Sequence, residues 1–97
     1  MLEYKLSPKA EKYIKKLKDQ ELKRRFREAM KKIRNDPGIG QPKKGDLAGA
    51  IGYDVNYNGT NYEVAYVLIE NTLVIFVLIG PRENFYNELK LYIKNYL

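Results

Sequence analysis

The chain has 97 residues, 44% of them apolar, and a formal net charge of +6, which suits one domain with a buried core and no more. It contains no cysteine and no histidine, which excludes a disulfide framework, a thiolate or imidazole metal site, a cysteine nucleophile and the usual general base near neutral pH. Any catalysis must fall to carboxylates, lysine, arginine, tyrosine or hydroxyls.

The amino end, MLEYKLSPKAEKY, is charged throughout and has no apolar signal-peptide region. The longest apolar run is far short of the ~20 residues that cross a bilayer, so the expected location is the cytoplasm, with no membrane partner. Leu2 to Leu6 alternates apolar and polar residues, which predicts a short strand with one buried face. Ser7-Pro8 reads as a helix start, a capping hydroxyl followed by a proline at the first helical position. The first helix is predicted to reach Lys18, with Ala10, Tyr13, Ile14 and Leu17 in one apolar stripe. Asp19 caps a second helix, from Gln20 to Asn35. Its inner face is Leu22, Phe26, Ala29, Met30 and Ile33. Its outer face is Lys23, Arg24, Arg25, Arg27, Lys31, Lys32 and Arg34. Two such helices form an antiparallel hairpin. Residues 1–36 hold thirteen Lys/Arg against six Asp/Glu and the remainder five against six, so the positive excess divides as +7 and −1. A one-sided basic surface suits a polyanion or an acidic protein partner, and equally a solubilising helix face.

Asn35-Asp36-Pro37-Gly38 ends the second helix. The stretch Gly40 to Gly49, GQPKKGDLAG, reads as a mobile basic loop that brings Lys43 and Lys44 to the edge of a cleft, or as a plain connector. Ile51, Tyr53, Val55 and Tyr57 alternate with Gly52, Asp54, Asn56 and Asn58, a half-buried strand that ends in the hairpin signal Asn58-Gly59. A strand from Asn61 to Ile69 follows, then a turn at Glu70-Asn71-Thr72. The unbroken apolar run Leu73 to Ile79 predicts a central strand buried on both faces. Gly80-Pro81 stops it and delivers Arg82 and Tyr86 to its rim. Glu83 to Tyr96 is helical, with Phe85, Leu89, Tyr92, Ile93 and Tyr96 in register. The order βααβββα is an α+β fold: an N-terminal helical hairpin packed on a mostly antiparallel four-stranded sheet, with a C-terminal helix.

The segments SPKAEKYIKKL, PKKGDLAG, TNYEVAY and IGPRENFY, in that order, resemble the RelE/ParE superfamily of toxins from bacterial type II toxin–antitoxin systems. The resemblance covers essentially the whole chain, 1–97, as a single toxin domain. It implies one of two activities. RelE-like members cut messenger RNA in the ribosomal decoding site with no metal or cofactor, and ParE-like members poison DNA gyrase. Both are held inactive by a cognate antitoxin. Of the residues that matter in RelE-like members, the arginine and tyrosine after the last strand match Arg82 and Tyr86. The strand lysine positions fall on or near Gly52 and Asp54, and the third-strand arginine position is Glu63.

Cleavage by attack of a ribose 2′-OH on its own phosphate needs a proton acceptor, a cation for the phosphorane and an acid for the leaving 5′ oxygen. Arg82 is the natural phosphate clamp, because a guanidinium forks onto two oxygens and stays charged. Tyr86 can stack on a base or orient the phosphate. Glu63 or Asp54 can serve as base. Strand alternation turns Glu63 away from Tyr62, so that an inward Tyr62 leaves Glu63 outward and available. Lys43 and Lys44, with Arg24, Arg27 and Lys31 of the second helix, are the expected RNA-binding cations. Three readings follow: a ribosome-dependent mRNA endoribonuclease, a gyrase inhibitor, and a non-catalytic member that binds only its antitoxin.

Overall fold

A computed structural model describes residues 1–97. The elements are β1 (Glu3–Leu6), α1 (Pro8–Lys16), α2 (Gln20–Asn35), β2 (Gln41–Pro42), β3 (Ile51–Tyr57), β4 (Thr60–Ile69), β5 (Leu73–Pro81) and α3 (Phe85–Tyr92). They build one sheet in the order β1-β5-β4-β3-β2. β1 runs parallel to β5 and every other pairing is antiparallel. The α1–α2 hairpin seals one face, where Phe26, Met30 and Ile33 meet Val55, Val64, Tyr66, Val74 and Phe76. On the other face Phe85, Leu89 and Ile93, at helical spacing, pack on Ala65, Val67, Val77 and Leu78 together with Leu47 and Ala50.

The α+β class and the element order agree with the sequence reading, and six details differ. β5 runs on through Gly80 and Pro81, which were expected to stop it, and the last helix spans Phe85–Tyr92 and closes in a 3-10 turn at Ile93–Asn95 where Glu83 to Tyr96 was expected. The sheet has a fifth strand, β2, whose two residues are too short to show a period. Pro42 is tolerated there because β2 is an edge. The central place belongs to β4, which lies between β5 and β3, although β5 is buried on both faces as expected. β1 is exposed along most of its length rather than half-buried, because it is the opposite edge. α1 ends at Lys16, two residues early, where Leu17 turns to extended backbone. The turns are as read: Asn58 and Gly59 take φ of 50° and 80°, the left-handed pair that a two-residue hairpin needs.

Ser7 joins the first helix to the sheet. Its hydroxyl accepts from the Ala10 N–H at 3.0 Å and donates to the Val77 carbonyl at 2.7 Å. Val77 is the extra residue of a β-bulge, since Ala65 pairs with Leu78 and the next residue, Tyr66, with Phe76. The bulge frees that carbonyl from the β4 ladder, and Ser7 satisfies it. Ser7→Ala removes a cap and orphans a buried acceptor at once, so it should lower stability by about 2 kcal/mol in urea unfolding.

Tyr66 ties the middle of the sheet to the end of α2. Its ring is fully buried and its hydroxyl donates to the Pro37 carbonyl at 2.6 Å. Burial pushes the phenol above its ordinary value of 10.0. The stability this gives is complete below pH 10 and is lost as pH rises through the folded-state value. Tyr66→Phe should cost roughly 1 kcal/mol at pH 7 and flatten the alkaline loss between neutral pH and pH 11, read by urea melts at both ends.

Candidate functional site

Alternation along β3 and β4 puts Gly52, Asp54 and Glu63 on the face that α3 covers. Gly52 lies opposite Ala65, and Asp54 lies directly opposite Glu63. Two carboxylates in a cross-strand pair repel unless cations intervene. Lys43 Nζ is 2.6 Å from Glu63 Oε2. Arg82 stands between the two acids, Nε 3.7 Å from Glu63 Oε1 and Nη1 3.6 Å from Asp54 Oδ1. The result is an open cleft of about 520 Å³, lined by Gln41, Lys43, Lys44, Gly52, Tyr53, Asp54, Glu63 and Arg82 among others.

Each side chain is aimed by its own element. Arg82 follows the end of β5, and its backbone N–H donates to the Asn61 carbonyl at 2.9 Å. Lys43 follows β2, which pairs with β3 through Gln41–Gly52 and Pro42–Ile51. Its N–H donates to the Ala50 carbonyl at 2.8 Å. The loop from Gly40 to Gly49 is thus bonded to the sheet at β2 and at Ala50. Besides β2 it carries a short 3-10 turn at Gly45–Leu47, buries Leu47, and is tied to α3 by Lys90 Nζ at 3.4 Å from Asp46 Oδ2. Its expected place at a cleft edge does hold.

The candidates divide between the cleft and the rest of the surface. Arg82, Asp54, Glu63, Lys43 and Lys44 meet in one cleft. Arg82 and Asp54 are half exposed, with side chains 53% and 58% accessible, whereas Glu63 is 3% accessible. Glu63 does point away from Tyr62, but it is not available to solvent, because Lys43 folds over it from β2. Tyr86 lies outside the cleft wall, exposed on the first turn of α3, with Lys90 Nζ 5.3 Å from its ring centre. Arg24 is held on α2 between Glu21 and Glu28. Hydrogen bonds from Arg24 and then Arg25 keep the Glu21 carboxyl down at about 2. Arg27 and Lys31 border a separate groove with Tyr4 and Arg34, where the Arg34 guanidinium lies 4.2 Å from the Tyr4 ring centre.

One residue of the cleft carries no side chain, and the sequence reading named it only as a position where a strand lysine is missing. A Cβ on Gly52 would collide with Glu63 Oε2 and lie 3.0 Å from Lys43 Cε. The carboxylate and the lysine stem occupy the space a side chain would take. An isolated glycine inside an alternating strand is the signal for such a close approach.

The arrangement can grip an oxyanion. It sets three cations against two carboxylates in a hollow open enough for a phosphodiester, with one of the acids exposed. A sequence model described as the ParE-like toxin of type II bacterial toxin–antitoxin system matches residues 5–90. No curated protein sequence matches the chain. Solved structures of the same fold include a mutant of the E. coli toxin RelE in the free state, with a TM-score of 0.76 and 15% identity over 99% of this chain and 98% of that one. The toxin–antitoxin complex RelBE2 from Mycobacterium tuberculosis gives 0.65 and 22% over 84% and 98%. The intact E. coli RelBE complex gives 0.65 and 16% over 82% and 95%. At these identities the likeness is one of fold.

Proposed function

The chain belongs to the ParE-like toxins of type II bacterial toxin–antitoxin systems, and from that premise we propose that it is a metal-independent endoribonuclease that cuts messenger RNA on the ribosome and so stops translation. The observation that carries this reading is the cleft itself, where Arg82, Lys43 and Lys44 surround an exposed Asp54. With the strand lysines absent, the β2 loop offers lysines at the same hollow.

In this reading Arg82 leaves its two long carboxylate contacts and forks onto the scissile phosphate. Asp54 takes the proton of the ribose 2′-OH, and the 2′ oxygen attacks the adjacent phosphorus. Arg82 and Lys43 offset the charge of the phosphorane. The bond to the 5′ oxygen breaks and that oxygen takes a proton from Lys44. The products are a 2′,3′-cyclic phosphate and a 5′-hydroxyl end. Tyr86 stacks on a flanking base. The ribosome holds the message, which an open cleft on so small a chain cannot do alone. Arg27 and Lys31, with Arg24 once it exchanges partners, meet RNA phosphates on the α2 side. Action on ribosomes would be in the cytoplasm. No helix is long and apolar enough to cross a membrane. The RelBE complexes support a cognate antitoxin as the partner that keeps the toxin silent, and an acidic one would suit the basic α2 face.

A second reading, inhibition of DNA gyrase, is favoured by one observation: Asp54 and Glu63 counter two of the three cleft cations. Induced expression in a bacterial host, with labelled amino acid, thymidine and uridine followed separately, divides the two. The nuclease stops amino-acid incorporation first. Loss of thymidine incorporation first supports gyrase as the target. No change in any of the three leaves a member that only binds its antitoxin.

A further inference from the structure

We propose that Glu63 is a positioning residue, which holds the Lys43 ammonium over Gly52 so that a loop lysine fills the place where the strand offers no cation. The inference rests on the nuclease reading and adds to it which lysine works and what aims it.

Four observations converge. Glu63 is buried and Lys43 Nζ lies 2.6 Å from its Oε2, whereas Lys44 makes no ion pair. Oε2 receives no directed hydrogen bond, so this buried oxygen depends on the lysine for its compensation. The main chain of Lys43 is fixed by β2 on one side and by its bond to Ala50, which leaves only the side chain to be aimed. The vacancy at Gly52 is what lets carboxylate and lysine stem meet above the strand. A Cβ there must push one of them out.

The chemistry follows from donor counting. An ammonium has three N–H groups. Held to Glu63 by charge and not by a directed hydrogen bond, it keeps its N–H groups for the cleft, set before any substrate arrives. Arg82, 3.7 Å from the other oxygen of Glu63, is beyond hydrogen-bond distance and is free to move to a phosphate. Glu63 thus keeps a fixed cation and a mobile one beside the same phosphate position without touching substrate. A cation held in place before reaction lowers the barrier more than one that must be ordered during it.

The test uses the full chain as wild type, Lys43→Ala, Glu63→Gln and the double variant, each confirmed folded by circular dichroism. Cleavage is measured on ribosomes programmed with a defined message. Each single variant should lose at least about 10-fold in kcat with a smaller change in KM, and the double variant should lose no more than the worse single one, because both changes cut the same link. Losses that multiply, or a Glu63→Gln protein that cleaves like wild type, overturn the proposal. A second readout needs no activity. Under limiting acylation followed by mass spectrometry, wild-type Lys43 should react several-fold more slowly than Lys44, and Glu63→Gln or Gly52→Ala should remove the difference. Equal rates in the wild type overturn the positioning whatever the cleavage assay gives. A wild type that protects Lys43 but cleaves nothing ends the nuclease reading and leaves the positioning standing.

Discussion

Arg82→Ala should abolish growth arrest and lower ribosome-dependent cleavage by about 10²- to 10³-fold, the usual loss when one donor is removed from a developing oxyanion. The fold should survive. The side chain is half exposed, and both of its carboxylate contacts exceed 3.5 Å, so its contribution to stability is at most about 1 kcal/mol. The backbone bond from Arg82 to Asn61 does not involve the side chain. Arg82→Lys should recover only a small part of the activity, because an ammonium cannot fork onto two phosphate oxygens. Plating under induction, mapping of cleaved message ends and a thermal melt of each variant check all three points. Arrest by a folded Arg82→Ala protein would remove Arg82 from the site.

Lys43→Ala should destabilise the chain more than any other surface lysine substitution, by roughly 2 kcal/mol. Breaking a buried pair from one side commonly costs about 3–5 kcal/mol. Two facts reduce the figure here: Lys43 is 26% exposed, and Arg82 stays near the abandoned carboxylate. The diagnostic result is the second step. Glu63→Gln placed on top of Lys43→Ala should return most of the lost stability, because the stranded charge is gone. Lys44→Ala, beside it in the chain, should change stability by less than about 0.5 kcal/mol. Urea unfolding of the four proteins decides it; a Lys43→Ala chain as stable as wild type would show that water reaches Glu63.

The elements were legible in the sequence because their signals are local. Ser7 and Asp19 announce their helices, and both cap as expected, Asp19 accepting from the Glu21 and Leu22 N–H groups. Asn58-Gly59 fixes one hairpin. The apolar stripe of α3 is visible in Phe85, Leu89 and Ile93. What escaped depends on neighbours distant in sequence. No period identifies Gln41-Pro42 as a strand, since β3 alone makes it one. Nothing in LEYKL says that its strand lies at an edge. Alternation rightly turns Glu63 away from Tyr62, but that face of the sheet is covered as well, and Glu63 is buried against Lys43, twenty positions away. The cleft was half legible. Arg82, Asp54 and the two lysines could be named from residue type and order, while Gly52, whose contribution is empty space, has no side chain to draw attention to it.

β1 and β5 pair in parallel, and the bond from Ser7 to Val77 joins residues 70 positions apart. β5 is the last strand to be synthesised and Arg82 follows it. While the chain is being made, Ser7 has no bulge carbonyl to meet, α1 has only part of its sheet to rest on, and the cleft lacks one wall. Closing so long a loop is also slow compared with helix formation. The cleft is therefore finished only when β5, the last of these strands to be made, has paired with both β1 and β4.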